Sequence, residues 1–402
     1  MDFDSFFSRR LRGSAMPDHG LRRIGSPDMI QFGGGLPDPA LHPAAELRRL
    51  FDQILAANEG GILGYGYEQG DAVLRELIAY RHRKEGGSAG ADGVVLTNGS
   101  AGGIGLVAAA LVDPGDVVIA EAATYPGALK AFRQMGAEIV ATPIDVCGLD
   151  PTGLEAALKE LDRDGRRAKF LYTIPTCHNP TATVLSLERR QAVADLAERH
   201  GLLIVEDNTY GDIRFGPTPP PLIALAPDRT IHLGSFSKTI APGLRVGWAA
   251  GPDEIAAGLA RMRTDLGISP LIQRVVTRFI EDGTFTSHLA HVTKHYRRKR
   301  DAMLASLERH CVDVAQWSDP EGGFFVWLTI PHGDVGEVLD AAEQEKVSFI
   351  PGTYFAATPG ACSQSLRLSY GEIAEDRIDE GLRRLGRALA AVVKPDGRRR
   401  WR

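Results

Sequence analysis

Cysteine is scarce in this sequence, and what there is forms no pair. Cys147, Cys177, Cys311 and Cys362 stand far apart among 402 residues with no C-x-x-C motif, which speaks against a disulfide framework and against a cysteine-based zinc site. No apolar stretch approaches the roughly 18 residues that a membrane span requires. Residues 1–13 mix charges with aromatics around no unbroken apolar core, so they do not read as a secretory leader. Positive charge is not in excess either: a formal net charge of −5 offers no general attraction for nucleic acid or an anionic surface. The one basic run, Arg398-Arg399-Arg400 beside Trp401 and Arg402, reads as a solvated tail. Internal repeats and low-complexity tracts are also lacking. These absences predict a cytoplasmic protein with no nucleic-acid or membrane partner.

What the chain does have is hydrophobic residues enough, at 44%, for a substantial core. Short apolar runs alternate with helical periodicity through its middle, the pattern of βαβ units on a largely parallel sheet. Strands are predicted at 93–96, 117–120, 170–174, 202–206, 230–233 and 246–249, most of them apolar throughout, as strands covered on both faces should be. Ser186 can cap a helix that carries Val193, Leu196 and Ala197 on one face and stops at Gly201. Beyond Gly267 the pattern turns to long amphipathic helices, one over 287–310. Strand-like runs at 324–328 and 365–369 follow, and then a last helix rich in Leu and Arg. The expected organisation is an N-terminal arm (1–47) packing on the small domain, a large α/β domain (48–265) and a smaller α+β C-terminal domain (266–402).

The segment Gly234-Ser-Phe-Ser-Lys-Thr-Ile-Ala-Pro-Gly-Leu-Arg-Val-Gly247 directly follows one of the buried strands. A lysine at the mouth of a parallel sheet, beside two hydroxyls and seven residues before an arginine, is costly unless anions or a cofactor meet it. Lys238 is then a nucleophile suited to forming an imine with an aldehyde, while Ser235, Ser237 and Arg245 are suited to a phosphate dianion. Asp207 ends another buried strand, where ligands of open α/β sheets sit, and a carboxylate there needs a cation. Ser100, Ala101 and Gly102 open a helix just after a strand, so their N–H groups can receive phosphate. Gly103-Ile-Gly105-Leu-Val-Ala108 also fits G-x-G-x-x-A, but it starts beyond the strand's end, and dinucleotide binding is not expected. Ser365-Leu-Arg-Leu-Ser-Tyr370 alternates polar and apolar residues and sets Arg367 among buried neighbours.

Taken in order, these motifs resemble those of the class I/II aminotransferases, fold-type I enzymes that use pyridoxal 5'-phosphate (PLP). The pattern is nearest to the aminoadipate/kynurenine-type and MocR-like branch, and the resemblance covers about residues 20–390. It implies a large domain on a mostly parallel seven-stranded sheet, a smaller α+β domain, PLP held as a Schiff base on Lys238, and a homodimer with shared active sites. Asp207 matches the residue that keeps the cofactor's pyridine nitrogen protonated, and Tyr210 a donor to its phenolic oxygen. Tyr125, in Glu121-Ala-Ala-Thr-Tyr-Pro-Gly127, matches the ring that stacks on it. Pro175-Thr-Cys-His-Asn-Pro-Thr181 is similar to the P-x-x-Q/H/C-N-P-T-G loop, whose asparagine, here Asn179, touches cofactor and substrate; Ala182 stands where the family has glycine. Arg367 matches the clamp on the substrate α-carboxylate, and Gly35, in Phe32-Gly-Gly-Gly-Leu-Pro37, a backbone contact to substrate. Tyr65 matches the tyrosine that reaches the neighbouring subunit's phosphate.

The implied activity is transfer of an α-amino group between an L-amino acid and a 2-oxo acid. Ala101, Gly102, His178 and Ala182 depart mildly from the family pattern at the cofactor's rim. The alternative is therefore a specialised biosynthetic enzyme of the same fold: a lyase, cyclase or oxidative deaminase acting on an amino acid. A DNA-binding regulator built on the same fold is not expected, because no extra domain fits before residue 48.

Overall fold

The protein is described by a computed structural model that covers residues 3–8, 10, 28–57 and 61–393. The basic run at 398–402 and much of the expected arm lie outside the described residues. Seven strands make the main sheet: β1 (Val94–Asn98), β2 (Val117–Glu121), β3 (Glu138–Thr142), β4 (Ala168–Thr173), β5 (Leu203–Asp207), β6 (Thr230–Ser235) and β7 (Val246–Ala250). Their spatial order is β1-β7-β6-β5-β4-β2-β3. Neighbours run parallel except at β7, which is antiparallel to both β1 and β6. Strand β3 is the one that pattern alone did not locate. It lies at the edge of the sheet, exposed or half-buried along most of its length, so it lacks the wholly apolar run of the central strands.

Helices flank both faces. In chain order they are α1 (Ala44–Ala57), α2 (Ala72–Lys84), α3 (Gly99–Leu111), α4 (Pro126–Gln134), α5 (Pro151–Arg163) and α6 (Leu187–His200). Ser186 caps α6 by accepting from the Arg189 N–H, and Gly201 ends it in a left-handed conformation, φ 60°. On one face Val107, Ala108 and Phe132 of α3 and α4 pack on Val95, Tyr172 and Val205; on the other, Leu158, Val193 and Leu196 of α5 and α6 pack on Ile119, Leu171 and Ile204. Each such Leu or Phe contributes about 1.5–3 kcal/mol, so these two faces hold the sheet and leave its polar edge free for other work.

Three further helices follow: α7 (Asp253–Arg261), α8 (Pro270–Glu281) and α9 (Thr284–His310). Val275, Val276 and Phe279 of α8 join Leu50 and Ile54 of α1 beside Val246 and Trp248 of β7. A second, antiparallel sheet holds β8 (Gln316–Trp317), β9 (Phe325–Thr329), β10 (Ile350–Pro351) and β11 (Ser365–Ser369) in the order β8-β9-β11-β10. It is accompanied by α10 (Val335–Gln344) and α11 (Ile378–Val392). The N-terminal segment joins this region: Ile30–Gln31 pairs in parallel with Val347–Ser348, and the Ser369 N–H donates to the Phe32 carbonyl. No described helix is long and apolar enough to cross a membrane.

Candidate active site

The antiparallel strand explains the first part of the site. Because β7 runs against its neighbours, its beginning meets the ends of β1 and β6: Val246 pairs with Asn98 and Gly247 with Ser235. Arg245, Ser235 and the start of α3 therefore share one edge. A Cβ at Gly247 would come within 2.5 Å of the Gly99 carbonyl carbon and 2.7 Å of the Ser100 nitrogen, so glycine is what lets α3 begin so close to the sheet. No side chain caps α3 at Asn98, which leaves the N–H groups of its first turn, Ser100, Ala101 and Gly102 among them, open to a ligand. Arg245 adopts φ 54° and lays its guanidinium against Gly99, donating to the Asn98 carbonyl at 2.9 Å. It has no carboxylate partner among the described residues. Ser235 Oγ donates to Ser237 Oγ at 2.9 Å and accepts from the Ser237 N–H at 3.1 Å. A ring of donors with one guanidinium and no anion fits a phosphate.

Lys238 follows β6. Its Nζ donates to the Gly35 carbonyl at 2.8 Å and stands 5.5 Å from the centre of the Tyr210 ring. Burial first and the charge of Arg367 second pull this ammonium down to about 8, against the opposing pull of Asp207. Tyr210 is buried, edge-on to Phe324 and Phe325, and burial raises its phenol above the usual range. Tyr125, at the N-cap of α4, is raised chiefly by burial and then by Asp207 and Tyr354, while Arg245 and Arg367 act in the opposite sense. One tyrosine thus feels the acid and both arginines.

Asp207 is buried at the end of β5. Its Oδ1 accepts from the Thr209 N–H at 3.1 Å and Oγ–H at 2.7 Å; its Oδ2 accepts from Tyr172 Oη at 2.8 Å. Tyr172 of β4 stands opposite Val205 in register, two residues before Asp207, so a long side chain reaches the carboxylate diagonally on the same face. All of these donors are neutral.

Asn179 and Arg367 are joined. Arg367 Nη1 donates to Asn179 Oδ1 at 2.8 Å and Nη2 to the Gly33 carbonyl at 2.7 Å, while its buried Nε has no partner among the described residues. A guanidinium only donates, so the amide of Asn179 turns its oxygen to Arg367 and keeps its NH2 for another acceptor. Phe325 and Phe355 stack on the guanidinium at 4.1 and 4.7 Å. Burial lowers Arg367 to about 10, which leaves it charged at neutral pH. Beneath this loop, Glu121 accepts from Thr173 Oγ1, the Ile174 N–H and Thr124 Oγ1. His178 Nδ1 accepts from the Thr181 N–H, so the proton of a neutral ring is on Nε2, 3.1 Å from Glu121 Oε2 but bent away from hydrogen-bond geometry. Ala182 takes φ 64°, the left-handed conformation for which glycine is suited.

These contacts link Lys238 to Gly35 and Arg367 to Asn179, and Asp207, Arg245 and Arg367 all act on the Lys238 amine. Tyr65 is not part of the cluster within one chain: it is 89% exposed. Sequence pattern missed Tyr172, whose phenol sits inside an apolar run and reads as packing. It also missed the rings stacked on Arg367, since Phe325 and Phe355 are ordinary core residues until the arginine is placed between them.

Residues 27–385 match the family described as aminotransferase class I and II. The chain is 33% identical to the aromatic-amino-acid aminotransferase 1 of Thermococcus litoralis, over 98% of this chain and 96% of that one. It is 36% identical to the 2-aminoadipate transaminase of Thermus thermophilus, over 93% of each. Its fold matches a crystal structure of Pyrococcus horikoshii kynurenine aminotransferase in complex with PMP at a TM-score of 0.92, with 33% identity and coverage of 97% and 98%. The architecture is therefore that of the fold-type I PLP enzymes. Within that class, the chain belongs to the class I and II aminotransferases; it transfers amino groups with PLP as cofactor.

Proposed function

We propose that the residues at this sheet edge divide the work of amino transfer as follows. PLP, when bound, supplies the electron sink that stabilises negative charge at the substrate Cα. Ser100, Ala101 and Gly102 through their N–H groups, with Ser235, Ser237 and Arg245, hold the phosphate. Asp207 provides the anion that keeps the ring nitrogen protonated, Asn179 and Tyr210 donate to the phenolic oxygen, and Tyr125 fixes the ring plane by stacking. Arg367 binds the substrate carboxylate: two of its five N–H groups are used within the chain, and the remainder include the buried Nε. The Gly35 backbone borders the substrate. Lys238 would carry the cofactor and, as a free amine, would take up and return the proton at the substrate Cα; an amine near 8 is well matched to that task at neutral pH.

The observation that carries this reading is the fourfold convergence on Lys238, an amine that feels Arg367, Asp207 and Arg245 and touches Gly35. We divide the chain into an arm (1–47), a large domain (48–265) and a small domain (266–402), with α8 lying across the join. A homodimer accounts for the exposed side chains Leu63, Tyr65 and Tyr67 beside Leu266, with Tyr65 completing the partner's phosphate site. The four free thiols suit the cytoplasm. For substrate we infer an amino acid with a long or aromatic side chain, supported by the relatives named for aromatic amino acids and 2-aminoadipate and by the rings around Arg367. The test is a panel of amino acids mixed with the purified enzyme, followed by cofactor absorbance and product mass. A 2-oxo acid formed in step with conversion of the cofactor to its amine form supports the reading. Ammonia release, β-elimination or ring closure overturns it.

A further inference from the structure

Lys299, on α9, is fully buried, and no role at the reacting atoms calls for it. An ammonium taken out of water costs several kcal/mol unless it is closely paired. Its partners are Asp38 Oδ2 at 3.0 Å and the Gly371 carbonyl at 2.7 Å. Asp38 lies three residues after Gly35; Gly371 lies four residues after Arg367. We propose that Lys299 is a positioning residue that clamps the strap 32–38 to the end of β11, and so sets the geometry of the substrate-carboxylate site.

The strap needs such a clamp. Gly33, Gly34 and Gly35 carry no side chain that could pack, and glycine loses the most conformational freedom on being ordered. Side chains there would also be tightly met: a Cβ on Gly34 would lie 3.2 Å from Glu372 Oε2, and one on Gly35 3.3 Å from the Phe325 ring. The strap is therefore held by its ends. At one end Phe32 donates to the Ser348 carbonyl and accepts from the Ser369 N–H. At the other, a single turn of α9 grips Asp38: Lys299 Nζ and His295 Nε2 both meet Oδ2, and the Asp38 N–H donates to Tyr296 Oη at 2.8 Å. Between these anchors the Gly33 carbonyl accepts from Arg367 and the Gly35 carbonyl from Lys238. One ammonium thus ties the chain carrying Gly35 to the chain carrying Arg367, 261 residues from its acidic partner.

This inference rests on reading Arg367 as the carboxylate clamp. Its test compares Lys299→Met, Asp38→Asn and the double variant, as holoenzymes, with Arg367→Lys as the control for that reading. The expected result is a rise of about tenfold or more in KM for both amino acid and oxo acid in the strap variants, with kcat within about threefold. Cofactor affinity, read by titrating the apoprotein with PLP, stays unchanged, as does the rate with a primary amine that lacks the carboxylate. If Lys299→Met does not fold because Asp38 has lost its buried ammonium, the double variant removes both charges together and must show the same KM rise. Unchanged KM in folded, cofactor-loaded Asp38→Asn and double variants overturns the clamp. Unchanged KM in Arg367→Lys overturns the reading beneath it instead.

Discussion

Neighbouring residues of β5 send carboxylates to opposite faces of the same sheet, and the surroundings differ in kind. On the rear face Glu206 is fully buried and saturated: Oε1 accepts from the Leu222 N–H at 2.8 Å, and Oε2 from the Ile223 N–H at 3.2 Å. His232 Nδ1 lies 2.9 Å from Oε2 and Arg190 Nη1 3.9 Å from Oε1. Burial works against its ionisation, but His232 and Arg190 hold the carboxyl below the usual range. On the front face Asp207 receives, among the described residues, only neutral donors, from Tyr172 and Thr209. A buried acid with its cation supplied by the chain is structure. One hydrogen-bonded to neutral donors alone keeps its charge available, which is what the proposed role at the cofactor's ring nitrogen requires.

The comparison breaks most readily at Asp207. Asp207→Ala should lower the amino-transfer rate by about a thousandfold or more, within the range that properly placed ionisable groups command, with no loss of apoprotein Tm. A large fall in Tm would mean that the front face is structural too. The rear face should behave in the reverse way. Glu206→Ala strands the Arg190 and His232 pair and should cost about 3–5 kcal/mol in urea unfolding, with kcat per folded, cofactor-loaded molecule nearly unchanged. A thousandfold loss of kcat in molecules that remain folded would erase the distinction.

The Lys238 amine sharpens the front-face account through pH. Because its folded value is lowered to about 8, the reactive free amine gains about tenfold per pH unit below that point. Stopped-flow capture of PLP by the apoprotein should therefore accelerate with pH and level off near 8; a rise continuing to pH 10 would show an ordinary lysine. The mildest test is Tyr172→Phe, which keeps the ring and removes one donor to Asp207 Oδ2. It should loosen PLP by about tenfold, the scale of a hydrogen bond to a charged group, and leave Tm near its starting value. Wild-type affinity would assign the phenol to packing alone.

How legible these features were depended on distance along the chain. Lys238 and Arg245 could be read because they share one loop with two serines, and Asp207 because a charge closes an apolar strand. The reach of Arg245 to the same edge has a cause that pattern could not supply, the reversed direction of β7. Strand β3 escaped because edge strands need only one well-covered face. The bond from Tyr172 to Asp207 crosses 35 residues and that from Lys299 to Asp38 crosses 261, so neither leaves a mark on local periodicity.

The close approach at Gly247 separates what this protein can vary from what it cannot. The proposed phosphate seat beside it is shaped by main-chain atoms crowded to within one missing methyl group, so exchanging side chains along its rim has little means of widening it. The strap and the rings around Arg367 are side-chain and loop material, open to gradual replacement. On the proposed assignment of the site, new substrate preferences can therefore arise around Arg367 while the backbone at Gly247 stays committed to the same vitamin-derived partner.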